Sequence, residues 1–365
     1  MTTASRFHGL TRFKAWLIVM ITLLLMALSA TSSMSTDTLP VFHTRAAAHA
    51  PITVDRDPDF RLYRTINARV AAGEGYYEVA ADEQRREGYP LRPFITFRLP
   101  TLAWISAAIG ASGMRLLIWG LMAFTLFAWW KRLDEVFDDP RRRIVAMLLL
   151  VSGLTLHARP ELIVLHDLWA GLLVCLSFAL HREDRWWPSM IAALAAVLIR
   201  EITFPFVLLM AASALWRRQG SEVAGWAAVI ALIVAAMFFH AQSVATVVQP
   251  GDPGSQGWTR FGGWAFFKFA VQESTALRAV PGWLSATLIP LSILGWASWR
   301  SHTGAIGFLL ISGYALIFMT LGRPENFYWG LAIAPAFLMG LAFLRTALPD
   351  LFAAAWTRAP AGLSS

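Results

Sequence analysis

The sequence predicts an all-α polytopic membrane protein of about ten transmembrane helices with a long first external loop. Three observations predict it. Hydrophobic residues make up 57% of the 365 positions and charged residues only 15%, where a soluble domain carries nearer 25% charge. Runs free of Asp, Glu, Lys and Arg recur along the chain. The Lys and Arg that remain collect in alternate connecting segments, as cytoplasmic loops require.

The first run, 15–31, follows the basic start "MTTASRFHGLTRFK" and ends in the small residues "ALSA". It reads as a signal anchor or a cleaved signal, and either exports the segment after Thr31. The further runs are 116–130, 144–157, 163–180, 186–199, 202–216, 226–243, 281–299, 304–321 and 327–344. "LPTLAWISAAIG", Leu99 to Gly110, is too short to span and opens beside a proline, so it is expected to lie at the membrane surface. The N-terminal tail, "KRLDEVFDDPRRR", "HREDR", "RRQGSEVAG", "RSHTG" and the C-terminal tail hold more than twice the Lys and Arg of the short loops opposite. Both termini are therefore expected inside.

The chain is expected to form one transmembrane domain over 1–365, with a first external loop at 32–112 and a second at 244–280. Basic residues with these topological duties form no separate module with interleaved aromatics, so the net charge of +8 is read as membrane charge and no nucleic acid is expected. The single cysteine, Cys175, leaves no disulfide framework or cysteine cluster.

On this topology the ionisable residues at span boundaries gather on the outer face. "HARPELIVLHDLW" carries Arg159, Glu161, His166 and Asp167; "LIREITFP" carries Arg200 and Glu201; "GRPENFYW" carries Arg323, Glu325, Asn326 and Tyr328. Charges this close to hydrocarbon pair with one another or face a polar cavity. Asp167 is also a natural helix-end residue, and Arg200 with Glu201 can serve one turn or two separate partners. His157, His166 and Glu161 match no metal-ligand spacing, and no metal is assigned.

Just past the first run, "DRDPDF" offers Asp55, Asp57 and Asp59. "DFRLYRTINARVAAGEGYY" then reads as an amphipathic helix with Leu62, Ile66 and Val70 on one face, ending near Gly73 to Gly75. The segment 244–280, rich in Gly, Pro and aromatics, is either a passive connector or a loop that closes over a site or binds an acceptor.

The acidic residues after the first span, the pattern D-x-x-L-Y as Asp59-Phe60-Arg61-Leu62-Tyr63 and the helix ending "AAGEGYY" resemble the first external loop of the GT-C superfamily of membrane glycosyltransferases. "YPLRPFITFRLPTLAWISAAIG", "HDLWAGLL" and "LIREITFPFVLL" extend the resemblance over the first two thirds of the chain. It departs in having Phe60 where many relatives carry a second adjacent acid, and no large soluble C-terminal domain is expected. The resemblance implies transfer of a sugar from a polyprenyl phosphate carrier to an acceptor hydroxyl on the outer or lumenal face, with inversion; the membrane is expected to be a bacterial inner membrane, with the outer face a periplasm, the alternative being an organelle membrane with its lumen. It implies Asp59 as the base, with Asp57 next and Asp55 last. Arg323, Arg200 and Arg159 would contact the carrier phosphate, and Glu201, Asp167, Glu325 and Asn326 would orient sugar hydroxyls. Tyr328, with Tyr76 and Tyr77, would stack on the sugar or anchor at the interface. The scheme calls for no cofactor; its partners are the lipid-linked donor, an acceptor of unspecified kind and membrane lipid. The alternatives are a transporter or flippase of a polar or lipid-linked solute, whose paired halves and midplane charges are not seen in the sequence, and a noncatalytic envelope scaffold.

Overall fold

A computed structural model describes residues 4–32, 58–257 and 260–356, the side chains of 324 and 325 excepted. Asp55, Asp57 and the first part of the 32–112 loop lie outside the described residues. Among those described, the chain is helical, with an isolated bridge between Arg92 and Gly254.

The elements are α1 (Arg12–Thr31), α2 (Pro58–Ala71), α3 (Tyr76–Arg86), α4 (Thr101–Asp134), α5 (Pro140–Gly153), α6 (His166–Leu180), α7 (Trp187–Ile199), α8 (Phe204–Trp216), α9 (Gly220–Val247), α10 (Gly263–Ser274), α11 (Gly282–Ser298), α12 (His302–Leu321), α13 (Ala334–Phe337) and α14 (Leu344–Trp356). Short 3-10 turns at 94–96, 160–164, 201–203, 276–279, 324–332 and 338–343 link several of them. Each apolar run predicted from sequence falls on helical chain. Five helical stretches are long and apolar enough to cross a membrane: Arg12–Thr31, Phe94–Asp134, Gly220–Val247, His302–Leu321 and Ala334–Trp356. The apolar helices His166–Leu180, Trp187–Ile199, Glu201–Trp216 and Gly282–Ser298 are shorter. A 13-residue helix such as α7 rises only about 20 Å against about 30 Å of hydrocarbon. Helix length and apolarity thus support five crossings, and the rest of the ten expected are not confirmed by them. Two of the short helices meet charged residues covered by protein, His166–Leu180 at Asp167 and Trp187–Ile199 at Arg200, and buried chain needs no headgroup layer to satisfy its backbone.

The stretch 99–110 is a short helix of its own from Thr101, set off by a kink at Gly110 (φ 65°, open to glycine) from the longer helix that completes Thr101–Asp134. One expectation is revised. The last run, 327–344, is not a regular helix but a chain of 3-10 and α turns, 324–343. Its backbone lies directly on glycine faces of neighbouring helices. A Cβ on Gly171 of α6 would stand 1.9 Å from the Leu331 carbonyl oxygen, and one on Gly295 of α11 would stand 1.9 Å from that of Gly340. Approach this close lets helix side chains satisfy the broken backbone: Trp296 Nε1 donates to the Phe337 carbonyl at 3.1 Å, and Ser292 Oγ donates to the same oxygen.

The core runs through α4 to α8, α10 to α12 and this irregular stretch, with Trp129, Trp296, Phe318 and Phe337 buried. A second, smaller core joins the polar loop to the bundle. Leu62, Ile66 and Val70 of α2 are buried as the sequence spacing requires, against Tyr76 and Val79 of α3, Leu91, Phe97 and Val244 of α9. Arg69 fastens α2 to α3 through Glu74, Asp82 and Glu83 at 2.6, 2.5 and 2.8 Å.

Candidate functional site

At one end of the bundle, α2, the 89–98 segment, the α7–α8 turn, the 248–257 loop and the 324–329 turns enclose a cavity of about 350 Å³. Asp59, in the first turn of α2, opens into it, and so does Tyr63 one turn later, since residues four apart share a helix face. The Tyr89 hydroxyl donates a hydrogen bond to the Asp59 carboxylate. Three arginines, Arg98, Arg200 and Arg323, line the same cavity.

Each arginine is positioned differently. Arg98 precedes α4, and its carbonyl accepts from the Tyr76 hydroxyl at 2.7 Å; its side chain donates to Glu201 Oε1 at 3.3 Å. Arg200 closes α7 and is only 3% exposed. It donates from Nε to Asp167 Oδ1 at 3.0 Å and from Nη1 to Glu201. Arg323 precedes the 324–332 turns and donates to the Gly257 carbonyl. The result is a ladder, Arg98–Glu201–Arg200–Asp167, in which the two carboxylates satisfy the buried cations from behind while the cations border the cavity.

The 248–257 loop is latched in place. Arg85 of α3 grips Asp252 with two bonds of 2.7 Å, and Arg85 also donates to the Val247 carbonyl at 2.6 Å. Leu91 and Ser255 add backbone bonds to Pro253 and Arg92, of 2.9 and 2.7 Å. The Arg85 guanidinium, helped by the Gln249 N–H, holds the Asp252 carboxyl down at about 2. Burial pushes the Tyr63 phenol up.

Of the residues singled out in the sequence, Asp59, Arg200, Arg323, Asn326 and Tyr328 line this cavity. Glu201 and Asp167 stand behind it as the partners of its arginines, so adjacent Arg200 and Glu201 do serve separate partners: Glu201 accepts from Arg98 as well. The Tyr328 hydroxyl donates to Asn326 Oδ1 at 3.5 Å. Arg159 does not line the cavity; it heads the 160–164 turn, near enough to act on the charge of Arg278. Tyr76 is buried beneath the site and Tyr77 pairs with His240 at 3.0 Å, so neither faces the cavity. Asp57 lies outside the described residues, as does the side chain of Glu325. The 244–280 segment is more than a connector, because Ser255 and Gly257 form part of the cavity wall.

Sequence reasoning missed Arg98, Tyr63 and Tyr89. Arg98 carries the same signal as Arg200, a cation at the edge of an apolar helix. No local pattern marks Tyr89, which reaches Asp59 across 30 residues. Among the described residues no group of three or more His, Cys, Asp or Glu is placed to hold a metal.

No family model matches this chain, and no curated protein or solved structure matches it either.

Proposed function

We propose that the chain is a membrane glycosyltransferase that takes a sugar from a polyprenyl phosphate carrier and passes it to an acceptor hydroxyl. The observation that supports this reading most is that a carboxylate, Asp59, and three arginines, Arg98, Arg200 and Arg323, line one cavity at one end of an apolar bundle.

In this reaction the acceptor oxygen attacks the anomeric carbon as the bond from that carbon to the phosphate oxygen breaks. The acceptor proton passes to Asp59, and the electron pair leaves with the phosphate, whose charge the three guanidinium groups neutralise. Guanidinium suits this duty because its planar fork meets phosphate oxygens in pairs. Single displacement inverts the anomeric centre. Asn326, Tyr328 and Tyr63 are placed to meet sugar hydroxyls and faces. On this reading the cavity opens to the outer side of a bacterial inner membrane, with both termini cytoplasmic.

The test is transfer of radiolabelled sugar from a panel of polyprenyl phosphate sugars in membranes carrying wild type, Asp59→Asn or Asp57→Asn. Loss with Asp59→Asn, with the protein still inserted, supports the reading. Transfer unchanged in both variants removes the base and favours a carrier of lipid-linked solutes.

A further inference from the structure

A second cavity, of about 630 Å³, lies at the other end of the helices, between the last turns of α4, the last turns of α6 and the start of α7. Its walls are apolar, with Leu121 and Phe124 from α4, Leu173 from α6 and Ile191 from α7. It opens sideways: Phe124 is 48% exposed and Ile191 60%. In a bilayer that opening faces acyl chains.

Cations border it where the three helices end or begin: Lys131 near the end of α4, Arg182 just past α6 and Arg185 just before α7. Arg182 is already committed, donating to Glu135 at 3.1 and 2.7 Å and to the carbonyls of Ala179 and His181. Lys131 and Arg185 are not. Both are exposed, both border the cavity, and among the described residues neither takes part in an ion pair. Lys131 leans over its own Phe127 ring, 5.8 Å from the centroid. Of the nearby acids, Glu183 turns to Arg217 at 3.8 Å and Asp184 does not line the cavity. Trp187, at the same rim, is the residue type that settles at headgroup depth.

An apolar slot calls for an acyl chain, and two uncommitted cations beside Trp187 at its rim call for a phosphate without a cation of its own. A zwitterionic headgroup brings an ammonium that these residues repel. We propose that this groove binds one anionic phospholipid, with an acyl chain along Leu121, Phe124, Leu173 and Ile191 and its phosphate between Lys131 and Arg185. The site is separate from the Asp59 cavity and does not depend on the reaction assigned there.

Native mass spectrometry of the full chain tests it, with phosphatidylglycerol and phosphatidylcholine of identical acyl chains added in turn. Two rim cations predict about 30-fold tighter binding of phosphatidylglycerol in the wild type. The double variant Lys131→Gln/Arg185→Gln loses most of that preference, whereas Arg12→Gln/Lys14→Gln, which removes equal charge from the exposed start of α1, keeps it. Should the double variant not purify as a monodisperse protein, Lys131→Gln alone carries the test with about a fivefold loss. Equal binding of both lipids by the wild type, or a preference that survives in the rim variants, overturns the proposal. A lipid-free dimer that excludes phosphatidylglycerol also overturns it, by giving the groove to a second copy of the chain.

Discussion

Arg200 and Asp167 form an ion pair at 3.0 Å in which the two side chains are 3% and 4% exposed. The pair bridges the α7–α8 turn to the first turn of α6, so one interaction both closes the bundle and aims a cation at the cavity. Removing one partner leaves the other buried and uncompensated. Arg200→Gln is expected to lower unfolding stability by about 3–5 kcal/mol. Asp167→Asn, which keeps a polar acceptor, is expected to cost less. Thermal unfolding of the two variants in detergent checks the order, and equal, negligible shifts would show that water already satisfies the pair.

The other two cavity arginines separate binding from folding. Arg98→Gln and Arg323→Gln each remove one cation from the cavity lining, and a charge-assisted bond contributes about 1.5–3 kcal/mol. On the proposed reaction each raises KM for the lipid-linked donor by about tenfold or more, with Arg323→Lys recovering part of the loss. Steady-state kinetics over a range of donor concentrations decide the matter; unchanged KM in both variants would move the carrier phosphate elsewhere.

The loop latch has a definite pH range. Asp252 is held at about 2, below an unfolded value of about 3.9. A depressed acid contributes its stabilisation fully above the unfolded value and loses it as pH falls through the folded one. The latch is therefore complete above about pH 4 and opens toward pH 2. The Gln249 amide, which donates to Asp252 at 2.7 Å, reports on it. Hydrogen-exchange protection at that amide should hold at pH 5 and decline below about pH 3. In Asp252→Asn it should already be weak at pH 5.

Packing of the irregular stretch is tested by two glycines. Gly295→Ala forces a methyl group onto the Gly340 carbonyl, where the available distance is 1.9 Å, and overpacking of this kind costs about 1–3 kcal/mol. Gly313→Ala places the same methyl in α12 where nothing lies within 4 Å, so its Tm should be unchanged or slightly higher. Similar Tm losses in both would mean that helix flexibility, and not the close approach, is what Gly295 supplies.

Opposite the cavity, Glu222 accepts from Arg217 at 2.6 Å and Trp226 at 3.2 Å and pairs with His181 at 2.9 Å. Glu222→Ala strands these groups in buried surroundings, and a loss of about 3–5 kcal/mol is expected. Denaturation in detergent measures it; Glu222→Gln should recover part of the loss by restoring an acceptor.

Much of this was legible in the sequence because it rests on local pattern. The four-residue spacing of Leu62, Ile66 and Val70 gave α2 its buried face, and charges beside hydrocarbon at Arg200, Arg323 and Asp167 found the cavity or its support, since such groups have few stable alternatives. What stayed hidden depends on long-range contact. The apolar run at 327–344 looks like any span; the bare faces of Gly153, Gly171 and Gly295, outside the run, are what its 3-10 and α turns pack against. The support Arg85 gives the loop comes from a partner 167 residues away.

The stretch 324–343 also works as a ruler. Its first turns carry Asn326 and Tyr328 at the cavity, while its later turns seat Phe337 and Gly340 against α11. Because both ends are docked, the number of residues between them is fixed more tightly than their identity. Apolar replacements between the two ends have room to be absorbed, whereas inserting or deleting one residue would pull either the cavity wall or the glycine seats out of register.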